Sequence, residues 1–169
     1  VDFLIMNERS EEGSESAGVS RSAAGCDEVE THEEGERDHV EEGSRIEYTE
    51  SPPTSGPHYA QQSQPGFFSA PVEPERMVHN LEHGQIVVWY SPDAPQATID
   101  AIESAVDEDP VSLLAAPYGD MPSGSDVVFT AWAASQSCAD FSSQVFNDFR
   151  ERFQGRGPEP VGIPTFDGA

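Results

Sequence analysis

The stretch MVHNLEHG, residues 77 to 84, sets two histidines four positions apart, a carboxylate beside the second, and a glycine after it. Residues four apart share a face of a helix, so His79 and His83 would project side by side, the spacing of two imidazoles on one metal ion. The spacing has a plainer reading too. A histidine in the last turn of a helix interacts well with the negative end of the helix dipole without any ion. The pattern also matches the H-x-x-E-H signature of inverted zinc peptidases, in which both histidines bind zinc and Glu82 acts as general base on the bound water. Such sites need a long helix and a third ligand from another, whereas here an apolar run begins two residues after His83.

Four of the five histidines, His39, His58, His79 and His83, fall within 45 residues. His58 closes the segment SPPTSGPHY, whose three prolines and one glycine make a stiff, turn-rich loop. A rigid loop delivering a third imidazole to a helical pair would make a three-histidine site, with His39 as a fourth ligand. Met77 would add a soft donor and tilt the site toward copper; as core filler it leaves copper(II) and zinc equally suited. Imidazole binds metal only when neutral, so affinity should fall as pH drops below about 6.5.

The elements that must position these side chains follow from pattern. Pro74 followed by Glu75 to His83 gives about two turns of helix, with Gly84 as a left-handed stop. QIVVWY, residues 85 to 90, is a buried strand, and Ile46 and Tyr48 in RIEYTE alternate with charges as in a half-buried one. SPDAPQATIDAIESAVDEDP reads as a helix capped by Asp93, with Pro95 in its first turn, an apolar stripe of Ile99, Ile102 and Val106, and Pro110 as its end. VSLLAAPY and VVFTAWA are two further strands. DFSSQVFNDFRERFQG is a second long helix with Phe141, Val145, Phe146, Phe149 and Phe153 inward, stopped at Gly155. The order predicts an α+β fold, a mainly antiparallel sheet with about two helices packed on one face. An acidic, flexible N-terminal arm over residues 1–25 would precede a single domain over 26–160, with a tail over 161–169.

Charge narrows the partners. The chain has 169 residues, with 32 acidic residues against 8 basic ones, for a formal net charge of −24, and every basic residue is arginine. Nucleic acid and anionic membrane both require basic patches, so neither is expected; a protein partner at the cell surface is. Residues 1–50 hold 16 acidic residues and 4 arginines, so half of the net charge lies outside that segment. Acidity spread through the whole chain, without lysine, reads as adaptation to concentrated salt in an archaeal organism, since at 1 M the Debye length falls to ~3 Å and self-repulsion is screened.

Cys26 and Cys138 lack CxxC spacing, which excludes a zinc ribbon or a thioredoxin-type motif. They read either as two buried thiols or as a disulfide formed in an oxidising compartment, tying the end of the acidic arm to the last part of the domain. No segment reaches the ~20 apolar residues of a membrane span, and VDFLIM is too short an apolar run for an intact signal peptide. Ser55 has no nucleophile elbow around it, and no phosphate-binding glycine loop occurs.

Several blocks together, RDHVEEGSRIEYTESPPTSGPHY, MVHNLEHGQIVVWY, VVFTAWA and FRERFQGRGPE, resemble the bacterial and archaeal family known as domain of unknown function 3105. The resemblance runs from about Gly25 to Glu159. It implies no activity, but it implies that His39, His58, His79, His83 and Glu82 stand at the family's motif positions and that the protein is exported or membrane-attached. Where one family variant resembles WQNCGVY, this chain has QSQPGFF, which leaves Cys138 as the partner of Cys26.

Three functions fit. The leading one is an exported or cell-surface domain binding copper or zinc through His58, His79 and His83, with His39 and Met77 as further donors. The second is a metal-dependent hydrolase with Glu82 as base. The third is an interaction module of an extracellular assembly, without metal, in which the histidines only hydrogen-bond and the proline-rich loop or an exposed aromatic such as Phe67 or Phe68 meets the partner.

Overall fold

The computed structural model describes residues 17–168. Its centre is β5 (Ile86–Tyr90), the apolar run read as a buried strand, and all five of its residues are buried. Side chains alternate along a strand, so β5 serves two cores at once. Ile86, Val88 and Tyr90 face one apolar cluster, and Val87 and Trp89 face another. Around β5 a six-stranded sheet runs in the order β1 (Glu30–Thr31), β8 (Ala134–Cys138), β7 (Val127–Ala131), β5, β6 (Leu113–Pro117), β4 (Gly66–Phe67). The pairs on the β1 side of β5 are antiparallel, whereas β5 with β6 and β6 with β4 are parallel. The sheet is therefore mixed and mostly antiparallel, within an α+β fold.

Helices cover both faces, which corrects the expectation of two helices on one. The helices α2 (Gln96–Asp107) and α3 (Ser143–Phe153) bury Ile102, Val106, Val145, Phe146 and Phe149 against the first cluster. On the opposite face α1 (Pro74–Glu82) buries Met77 and Leu81 against Val87, Trp89, Leu114 and Val128. A helix of nine residues is too short to be stable alone. Its packing on the sheet holds it, with Pro74 at its first turn and Gly84 (φ +97°) in the left-handed region just beyond His83.

Three local readings need correction. RIEYTE forms no strand: Ile46 and Tyr48 are half-buried in alternation, but the Ile46 N–H donates to Glu75 Oε2 (3.2 Å) and the Tyr48 hydroxyl to the Pro57 carbonyl (2.5 Å), so no ladder forms. Asp93 does not cap α2, because Pro95 occupies the cap position and no side chain caps there; Ser142 does cap α3, accepting from Val145 N–H (3.4 Å). The strand β8 has no counterpart among the expected elements. It turns back from β7 through Trp132 and Ala133, the latter at φ +59°.

Residues 1–16 of the expected N-terminal arm lie outside the described residues. From Ala17 onward the backbone is tied to the fold: Val19 N–H donates to the Phe141 carbonyl (2.8 Å), and Cys26 is bonded to Cys138, 112 positions away. At the other terminus, Phe166 lies under the Arg150 guanidinium (3.8 Å), and Gln154 Nε2 donates to the Pro164 carbonyl (3.0 Å). No described helix is long and apolar enough to cross a membrane.

Candidate metal centre

The four clustered histidines meet at the C-terminal end of α1. At the end of the proline-rich loop, β3 (His58–Tyr59) pairs in parallel with β2 (His39–Val40), and His39 is the direct partner of His58. This ladder lies against α1, so the His39, His58 and His79 rings stand with centroids 4.9–5.3 Å apart, and His79 and His83 at 4.8 Å. His39, His58 and His79 form one group of ligand atoms within 4.8 Å of one another; His79, Glu82 and His83 form a second, so His79 belongs to both.

Every position of HNLEHG has a distinct task in this arrangement. His79 Nδ1–H donates to the Tyr59 carbonyl (2.7 Å), and His83 Nδ1–H to the Glu159 carbonyl (2.7 Å). Asn80 is fully buried and anchors the helix, taking the Ser63 N–H on its oxygen (3.0 Å) and donating to Ser63 O (2.9 Å) and Gln85 Oε1 (2.7 Å). Leu81 enters the core beneath α1. Glu82 brings Oε1 to 3.2 Å from His58 Nε2. Gly84 lets the chain turn into β5 while a second segment crosses closely. Gly155 N–H donates to Gly84 O (2.8 Å) and Glu159 N–H to Glu82 O (3.1 Å), and a Cβ on Gly157 would stand 2.4 Å from Glu82 O.

The third tethered ring is His58, whose Nδ1–H donates to the Gly56 carbonyl (2.9 Å). A carbonyl oxygen only accepts, so the three tethers place the proton of each neutral ring on Nδ1 and leave a lone pair on Nε2. Two of those lone pairs face each other: His79 Nε2 and His83 Nε2 are 2.9 Å apart, while His58 groups with His79 and His39. His58 Nε2 and Glu82 Oε2 are buried without a hydrogen-bond partner, and the 3.2 Å approach of His58 to Glu82 Oε1 is not aligned as a hydrogen bond. Two donors each about 2.0–2.1 Å from one ion, at ligand angles of about 90–110°, are separated by about 2.9–3.4 Å. Both observed pairs lie in that range.

Burial lowers the proton affinity of His79 below the ordinary histidine value; the Tyr59 carbonyl opposes this, and His58, His83 and His39 add to the lowering. His58 and Glu82 are nearly inaccessible, His83 is half-buried, and His39 is exposed. Met77 does not join them. It sits two positions before His79, on a different face of α1, and lies in the apolar cluster with Leu81 and Trp89. Ser55 accepts the Gly35 N–H on its hydroxyl (2.8 Å). Phe67 and Phe68 are half-buried, with Phe67 stacked on Tyr90 at 5.7 Å.

Sequence reasoning missed the carbonyl tethers, the Asn80 anchor and the crossing segment 155–159. The only sequence trace of the last is the pair Gly155 and Gly157, whose missing side chains admit the close backbone approach.

The chain belongs to the family described as Protein of unknown function (DUF3105), whose model matches residues 39–165. All four clustered histidines, Glu82 and the crossing segment lie within that span. No curated protein and no solved structure matches the chain.

Proposed function

We propose that this member of a family without an assigned activity binds one copper or zinc ion through the Nε2 atoms of His58, His79 and His83, with Glu82 as a charge-balancing carboxylate and His39 as a further ligand. The observation that carries the reading is the His79–His83 pair. Its two rings make three contacts in a row: Tyr59 O with His79 Nδ1, His79 Nε2 with His83 Nε2, and His83 Nδ1 with Glu159 O. Two neutral imidazoles have two N–H groups, so satisfying three contacts takes either a third proton or a cation between the Nε2 atoms. Burial and the three neighbouring imidazoles disfavour the proton on His79. A metal ion meets the same requirement and also supplies the positive charge that buried Glu82 lacks.

Nitrogen donors with one carboxylate suit zinc and copper(II). The Cys26–Cys138 disulfide supports a working place outside the reducing cytosol, at the cell surface or beyond it. The acidity of the chain supports a salt-rich environment. A hydrolytic role for Glu82 is less well supported, because its carboxylate is almost fully buried against His58 rather than facing a cleft.

Elemental analysis of protein purified without a histidine tag tests the binding. About one equivalent of copper or zinc is expected in the wild type after incubation with either ion, and none in a His79→Ala, His83→Ala double variant. Absence of both metals from the wild type would overturn the proposal.

A further inference from the structure

We infer that His39 is an exchange ligand: the ring through which the metal ion enters and leaves, and at which a carrier of that ion docks. The inference rests on the metal-binding reading and adds a direction of traffic to it. His58, His79 and His83 are each fixed by a carbonyl on Nδ1. Among the described residues no backbone carbonyl tethers the His39 ring; ring contacts with His79 (5.3 Å, nearly parallel) and His58 (5.2 Å) hold it. It is also exposed, whereas His58 and His79 behind it are buried. A ring that can reach the ion, is accessible from outside, and is held by ring contacts alone is what ligand exchange requires beside three rings fixed by carbonyls.

The clefts of about 750, 630 and 410 Å³ lie elsewhere on the fold, and none has a member of the histidine cluster in its wall. A donor atom on a carrier can meet an ion held by exposed His39. The exposed acids around it in sequence, Glu33, Glu36, Asp38 and Glu41, attract a cation or a basic carrier and disfavour an acidic one. The partner this geometry fits is a cationic metal donor or acceptor that replaces one ligand at a time.

The test loads wild type, His39→Ala and His79→Ala protein with one equivalent of zinc or copper(II) and follows ion transfer to an excess of a cationic polyamine chelator, triethylenetetramine, by timed desalting and elemental analysis. Equilibrium affinity is measured separately by chelator competition. In the wild type the transfer rate should rise with the concentration of the polyamine. His39→Ala should slow it about tenfold, the equivalent of about 1.4 kcal/mol in the barrier. Its equilibrium affinity should fall, since one ligand is lost, but by less than the loss in His79→Ala. An unchanged transfer rate in His39→Ala, with binding intact, would overturn the exchange role while leaving the metal site standing. A loss of affinity as large as that of His79→Ala would also overturn it, by making His39 an ordinary ligand. Failure of the wild type to take up either ion would contradict the metal reading and, with it, this inference.

Discussion

His58 Nε2 and the Glu82 carboxylate stand 3.2 Å apart in the interior without a hydrogen bond between them. A neutral His58 has its one proton on the Gly56 carbonyl, and such a ring places two electron-rich atoms face to face in a region closed to water. A buried carboxylate without a positive partner costs about 3–5 kcal/mol, so the arrangement sacrifices stability unless a cation joins it.

The Glu82→Gln substitution turns that cost into a measurement. Without metal, in the presence of chelator, the variant should be more stable than the wild type by about 1–3 kcal/mol, because an uncompensated charge has been removed. With one equivalent of zinc or copper the order should reverse. Denaturant unfolding under the two conditions checks it, and a variant less stable in both would count against a charge-balancing role.

Acidification should weaken the metal-free fold. The folded-state proton affinity of His79 is lowered by burial, while in the unfolded chain a histidine titrates near 6.5. The unfolded state therefore takes up the proton first. The His79 contribution is fully present above about pH 6.5 and declines as pH falls from there through the lower folded value. Thermal melting in chelator between pH 8 and pH 5 should show this decline, and a His79→Asn variant should show a shallower one.

Gly157→Ala should disturb the crossing segment and the His83 tether together. The added methyl would meet Glu82 O at 2.4 Å and Leu81 O and Gly84 N at 2.8 Å, all backbone atoms at the end of α1. Overpacking of this kind costs about 1–3 kcal/mol. Metal affinity should fall as well, because Glu159, whose carbonyl orients His83, follows in the same segment. Unfolding curves and chelator competition measure the two effects; loss of stability with unchanged affinity would separate the segment from the site.

Removing the disulfide should act on stability alone. Cys26 and Cys138 close a loop of 112 positions and lie in the β1–β8 region, away from the histidine cluster. A Cys26→Ser, Cys138→Ser variant should lose about 2–5 kcal/mol by denaturant unfolding and keep its metal affinity.

Dilution of salt should lower the melting temperature. The net charge of −24 repels itself, and the repulsion is screened as ionic strength rises. Equal melting temperatures in molar salt and in dilute buffer would contradict the reading of the surface as salt-adapted.

How much of this was legible in the sequence differs by residue. The short helix α1 could be read because Pro74 and Gly84 bracket it, and β5 because five apolar or aromatic residues run together. β8 was hidden: its sequence, ASQSC, buries only its two ends, and its turn, Trp132 and Ala133, lacks the glycine or asparagine that signals a hairpin. RIEYTE misled in the opposite direction, since alternating burial reflects packing and does not require a partner strand. The histidines themselves were found from type and spacing. Their tethers were not, because a backbone carbonyl has no side-chain signature: nothing in the letters at Gly56, Tyr59 or Glu159 indicates that they set the imidazole tautomers. Met77 was a reasonable donor by type but faces the core by helical geometry.

The central claim is that the Nε2 atoms of His58, His79 and His83 bind one ion while their Nδ1 atoms carry the protons. Long-range proton–nitrogen NMR correlation of the histidine side chains, recorded before and after one equivalent of zinc, observes those atoms directly. The account predicts that, with zinc bound, all three rings carry hydrogen on Nδ1, and that zinc moves their Nε2 signals from the free lone-pair position to that of a metal-bound nitrogen. A zinc-treated spectrum identical to that of the metal-free protein, or a proton on Nε2 of any of the three rings in the zinc complex, would contradict it.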